Sequence, residues 1–247
     1  LKFPPYEIVN SLAVLSIGFG NRFEVDIIGL SSVLVPPTPG ENISPIGEAQ
    51  LALEASFIVE TDPFSTSMVI QGQLTQNSYI FSKKCRLTGG FAFGAWIGGD
   101  NNGDFVITWG GYHPDFKPPS YYPLVPRVGF NWNMAQYLNA KGNMYFALTP
   151  NAIMAGGVLE LLFQLSVSGP IPSFRASFDL SLDFLLNWKP YHYEADTVAE
   201  VDVSLVIKSF GTHSISASAG ADMDLWGPDF GGTAELHMSI LFVKIHF

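Results

Sequence analysis

His113 stands in a proline-rich stretch with Tyr112, Asp115, Tyr121, Tyr122 and Arg127. One imidazole, one carboxylate, one guanidinium and three phenols can together donate, accept and stack. Loops that display aromatics and arginine tend to carry binding, so these six are the expected ligand- or partner-binding residues. The alternative for the same stretch is an Ω-like cover, packed over the open end of a sheet by its own aromatics and prolines.

A second group is set by parity. His192, Glu194 and Asp196 recur at every other position, with Glu200 and Asp202 further along, so an extended strand puts them on one face. Asp179, Asp183, Asp222 and Asp224 can lie alongside on neighbouring strands, and carboxylates with a histidine suit a cation. The charges spread along the strand instead of meeting at one end. A solvated acidic face is the expectation, with no metal and no cofactor. Asp100-Asn101-Asn102-Gly103-Asp104 has the oxygen density of a calcium loop but lacks its bidentate glutamate, and a hairpin turn accounts for Asn-Gly. Neither G-x-S-x-G nor H-E-x-x-H occurs, so no catalytic residue is assigned. Two carboxylates brought together by the fold to act on a sugar remain an alternative.

The elements that must position these groups are strands. In SFRASFDLSLDFLLNW (173–188) the even positions are Phe174, Ala176, Phe178, Leu180, Leu182, Phe184, Leu186 and Trp188, and the odd ones are polar except Leu185. Such alternation predicts a long strand with its even face buried and its odd face wet. The same period runs through 48–60, 158–168, 191–207, 213–226 and 233–247, the last read as one closing strand with an apolar end. Gly169-Pro170, Lys189-Pro190, Phe210-Gly211 and Gly227-Pro228 separate them, and connections that short make antiparallel neighbours. The first half has a strand at 23–30, breaks at Pro36, Pro37, Pro39 and Gly40, and a hairpin over 86–111 turning at Asp100 to Gly103. Only Asn133 to Ala140 could make a turn or two of helix. The fold class is therefore all-β: long antiparallel amphipathic strands in a meander, forming an extended sandwich, a trough or a large barrel with an apolar interior. One domain over 1–247 is expected, with a sub-boundary conceivable near 133–143.

Composition agrees. Hydrophobic residues are 47% and charged residues 14% of 247, against a usual charged share of about 25%, so a large apolar area must be buried. A net charge of −10 argues against nucleic acid and anionic membranes, which are bound through Lys and Arg; Lys83, Lys84 and Arg86 are too few to reverse it. The single Cys85 excludes an internal disulfide and is read as an ordinary thiol in a strand. No stretch has the 18 or so apolar residues of a membrane-spanning helix.

GDFVITWGGYHPDFKPPSYYPLVPRVGFNW (103–132), YFALTPNAIMAGG (145–157), LLNWKPYHYEAD (185–196) and LWGPDFGGTAELH (225–237) resemble an uncharacterised family of large β-rich proteins from bacteria and filamentous fungi. The combination of GGYHP with YP-x-VPR is the most specific part. The resemblance implies a segment near the C-terminal end of a longer polypeptide and carries over no catalytic residue. A chain that starts at Leu1 fits that expectation, with an extracellular or cell-surface setting favoured. The function expected is a non-catalytic structural or binding β module that assembles with other segments or copies, or shelters an apolar ligand such as lipid. The alternative is a carbohydrate-binding or carbohydrate-hydrolysing β protein with a strand-end cleft.

Overall fold

The computed structural model describes residues 9–36, 45–165, 173–207, 213–239 and 241–246. The described residues hold no helix, and none long and apolar enough to cross a membrane. They form sixteen strands: β1 Val9–Gly18, β2 Arg22–Val35, β3 Gly47–Thr61, β4 Phe64–Leu74, β5 Tyr79–Ile80, β6 Ser82–Thr88, β7 Gly90–Gly98 and β8 Phe105–Trp109. The second half continues with β9 Val128–Ala135, β10 Leu138–Leu148, β11 Ala152–Leu165, β12 Ser173–Trp188, β13 Tyr191–Ile207, β14 His213–Gly227, β15 Gly231–Met238 and β16 Leu241–His246.

All sixteen join one antiparallel sheet, in which β3–β5, β4–β7, β6–β9 and β8–β10 are the pairs that skip along the chain. From β10 to β16 the order is a plain meander. Between β3 and β10 the pairing closes into a ring of eight strands, and the register shows how. One edge of β3 bonds β2, while the other bonds β4 at Leu51–Thr61 and β5 at Gly47–Glu48. One edge of β10 bonds β11, while the other bonds β9 at Leu138–Met144 and β8 at Phe146–Leu148. Two routes, β4-β7-β8 and β5-β6-β9, therefore run side by side across the middle of the sheet. Three long strands are each interrupted at the same height: at residues 75–78, at Gly89, and at 110–127.

Two sequence expectations need correction. Residues 233–247 are two strands, because the chain turns at Ser239, whose Oγ accepts from the Ser218 N–H at 2.7 Å. Asn133–Ala140 is the β9–β10 hairpin, with Leu138 paired to Ala135; alternation on both sides outweighs the helix formers at its tip. Lys189-Pro190 does turn β12 into β13, and Asp100–Gly103 does turn β7 into β8. Pro37, Pro39, Gly40, Gly169-Pro170 and Phe210-Gly211 lie outside the described residues.

The register also sorts the two faces. One face gathers Leu53, Phe57, Ile70, Phe93, Ile107, Phe146, Ala155, Leu182 and Leu225 along connected rows, and strands β1 to β4, β7, β8 and β10 to β15 put no charged residue on it. The opposite face carries Glu54, Gln71, Thr108, Tyr145, Asp183, Asp196 and Asp224. The core sits on this second, mixed face. Trp96, Val106, Tyr145, Ala147, Ala152, Met154 and Leu185 are buried there with Tyr112 and Tyr122 of the loop that leaves the sheet at 110.

The expectation that the even positions of β12 are buried is thus overturned. Leu182 is 50% exposed, while Leu185, on the odd face, is 5% exposed. Period two gave the strand and its two faces; which face is covered depends on the loop that crosses it. The whole chain exposes 15561 Å², against roughly 11,000 Å² for a compact monomer of this mass.

Candidate functional site

The loop from Gly110 to Arg127 interrupts a strand and returns to where it left. A Cβ at Gly110 would lie 2.9 Å from the Val128 nitrogen and 2.3 Å from the Met144 carbonyl oxygen, and its φ is +77°, a left-handed backbone that glycine adopts without strain. The Gly90 N–H donates to the Pro126 carbonyl and the Gly110 N–H to the Gly90 carbonyl, so both ends of the excursion are stitched to one point of β7.

The loop is held down residue by residue. Arg127 donates to the Gly110 carbonyl at 2.9 Å, and its guanidinium lies over the Tyr145 ring, 3.9 Å from the centroid. Tyr112 donates to the Pro123 carbonyl at 2.8 Å across the loop. Asp104, at the start of β8, accepts from Tyr121 at 2.6 Å and from Tyr122 at 2.7 Å. Trp96 stacks on Tyr122 and meets Tyr121 edge-on. The Asp104 hydrogen bond, followed by burial, raises the Tyr121 phenol to about 12. Burial first, then Asp104, raises Tyr122 further, and burial alone raises Tyr112.

His113 is the innermost of the candidates. Its backbone N–H donates to the Met154 sulfur at 3.3 Å, and its ring meets Tyr145 edge-on. Its Nδ1 accepts from the Asp115 N–H at 3.2 Å and lies 3.9 Å from both Asp115 Oδ2 and Glu194 Oε1. The buried Nε2 has no hydrogen-bond partner. Beside this group, Tyr145 donates to Asp183 at 2.6 Å. That contact needs Gly156 next to it, since a Cβ there would sit 2.5 Å from the Asp183 oxygen and 2.6 Å from the Tyr145 ring. Asp183 pairs in register with Asp196, and Asp196 with Asp224. Burial, then Asp224 and Glu194, raises the Asp196 carboxyl.

The six sequence-nominated residues do share one loop, but they divide by role. Tyr112, His113 and Tyr122 face inward, Tyr121 and Arg127 are partly covered, and Asp115 is open to water. The loop lies on the sheet's mixed face, and its aromatic rings belong to the core. Sequence reasoning missed Trp96, Asp104, Tyr145, Met154 and Asp183 as its partners. Alternation alone could have offered a face to each of Tyr145, Met154 and Asp183, but only the strand register sets Tyr145 and Asp183 in one row and Met154 in the next. Glu194 stands out on its own strand, and its convergence with His113 and Asp115 comes from the loop, which parity cannot show. Cys85 is a buried strand thiol raised by that burial.

The chain belongs to a family of unknown function (DUF6603), whose model matches residues 1–247. No curated protein and no solved structure matches it.

Proposed function

We propose that this member of the DUF6603 family is a non-catalytic β module that buries its charge-free sheet face against a second apolar surface, supplied by other segments of a parent polypeptide or by other copies. The observation that supports this is the uncovered state of that face. Met144, Leu180, Leu182, Met223 and Leu236 sit on it with between 37% and 58% of each exposed, whereas an apolar patch on a monomer seldom exceeds a few hundred Å². Two sheets stack about 10 Å apart when their apolar side chains interdigitate. Here β12 presents Phe184, Leu182 and Leu180 beside Ala195, Thr197 and Ala199 of β13, a row of large residues next to a row of small ones.

A second reading rests on a separate feature. Gly156 and Gly157 leave a shallow depression of about 490 Å³ lined also by Met144, Phe146, Leu182 and Phe184, which suits an acyl chain or similar hydrocarbon. The sugar-processing alternative draws no support from the loop, because Tyr112 and Tyr122 are turned into the core.

Native mass spectrometry of the purified chain, with and without mild detergent, tests the proposal. Self-association or retained lipid is expected, and the double substitution Leu180→Glu with Leu182→Glu should release both while the circular dichroism stays unchanged. A wild-type chain that is monomeric, free of lipid and unable to bind a hydrophobic dye would overturn it.

A further inference from the structure

We propose that His113, Asp115 and Glu194 bind a single divalent transition cation of the zinc class, which ties the 110–127 loop to β13. The three ligand atoms come from two elements distant in sequence, and all lie within 4.8 Å of one another. His113 Nδ1 is 3.9 Å from each carboxylate oxygen. Ligands bonded to one zinc at about 2.0 to 2.2 Å stand roughly 3.3 to 3.6 Å apart in a tetrahedron, so each imidazole–carboxylate distance must close by about half an ångström. One imidazole with two carboxylates suits zinc, iron, nickel or manganese better than the all-oxygen cations.

The imidazole itself points to a ligand. His113 is 2% exposed in its side chain, and its Nδ1, which meets the Asp115 N–H at a long 3.2 Å, lies 3.9 Å from each of two carboxylate oxygens, so binding exchanges that one hydrogen bond for the cation. Its buried Nε2, on the far side of the ring, has no hydrogen-bond partner. A cation in the gap joins Nδ1 and the two carboxylates through attractive contacts. The surroundings favour it. Asp183, Asp196 and Asp224 lie in one row beside Glu194, and Arg127 acts on Asp183. His192 Nε2 lies 3.6 Å from Glu194 Oε2, on the outer side of that carboxylate. Asp115 is 79% exposed in its side chain, which leaves an entry path from solvent.

The test is titration of the chelator-treated full chain with Zn²⁺ by calorimetry, and with Co²⁺ by visible absorption. One equivalent should bind and the melting temperature should rise. His113→Gln and Glu194→Gln should each weaken binding at least tenfold, and Asp202→Asn, on the same strand face, should leave it unchanged. Asp115→Asn removes a ligand at an exposed position without touching the core, so it keeps the test decisive if the His113 variant fails to fold. Absence of stoichiometric binding would overturn the proposal. Equal binding by Asp115→Asn and wild type would overturn it as well.

Discussion

Asp104 is the residue on which the loop turns, since one carboxylate accepts from both Tyr121 and Tyr122. The sign of the pH dependence follows from that. The Tyr121 phenol titrates at about 12 in the folded chain and near 10 when unfolded. A raised folded value means that its stabilisation is complete below pH ~10 and is lost as pH rises toward 12. An alkaline titration followed by phenolate absorbance should show some of the nine tyrosines ionising late and together with loop release, and Asp104→Asn should bring Tyr121 back toward its ordinary value. A single transition of all nine near pH 10 would contradict the clamp. The sequence gives residue types at the site well: His113 and its five companions stand out because histidine, arginine and tyrosine gather among prolines. It does not give their direction. Three of the six face inward because Met154, Trp96 and Tyr145 wait on the sheet beneath them, and no local pattern connects those positions to the loop.

Strands were legible because period two is a property of the chain alone. Burial was not, because it is a property of what comes to lie on the strand. β12 separates the two. Leu185→Glu places an unpaired charge among Tyr145, Met154 and its neighbours Asp183 and Glu194, so it should cost about 3 kcal/mol or more. Leu182→Glu sits on the uncovered face and should change the isolated chain by no more than about 0.5 kcal/mol. Urea unfolding of the two variants at low concentration measures the difference, and the reverse ranking would make the even face the true core. The turn at Ser239 escaped the sequence for a similar reason: its hydrogen bonds run to Ser218 on the next strand, so the break between β15 and β16 is a tertiary event.

At the scale of the molecule the sheet ends, among the described residues, in β1 on one side and β16 on the other. An edge exposes unpaired N–H and C=O groups and invites another strand. β16 answers with Lys244, paired to Glu235 of β15, and with little else. Deleting 239–247 removes that lysine and makes β15 the edge, so soluble yield should fall and the remainder should associate through β15; a soluble monomer with unchanged circular dichroism would show the strand to be dispensable. The same meander carries a consequence for synthesis. From β1 to β4 and again from β9 to β16 each strand pairs with the one made just before it, so these two stretches can zip up as they emerge, whereas β7 reaches back to β4 and β9 to β6. The excursion at 110–127 cannot keep that pace. Tyr122 can settle at once on Trp96 and Asp104, but His113 finds Tyr145, Met154 and Glu194 only when β10, β11 and β13 have arrived, which leaves its imidazole waiting in water while those strands are made.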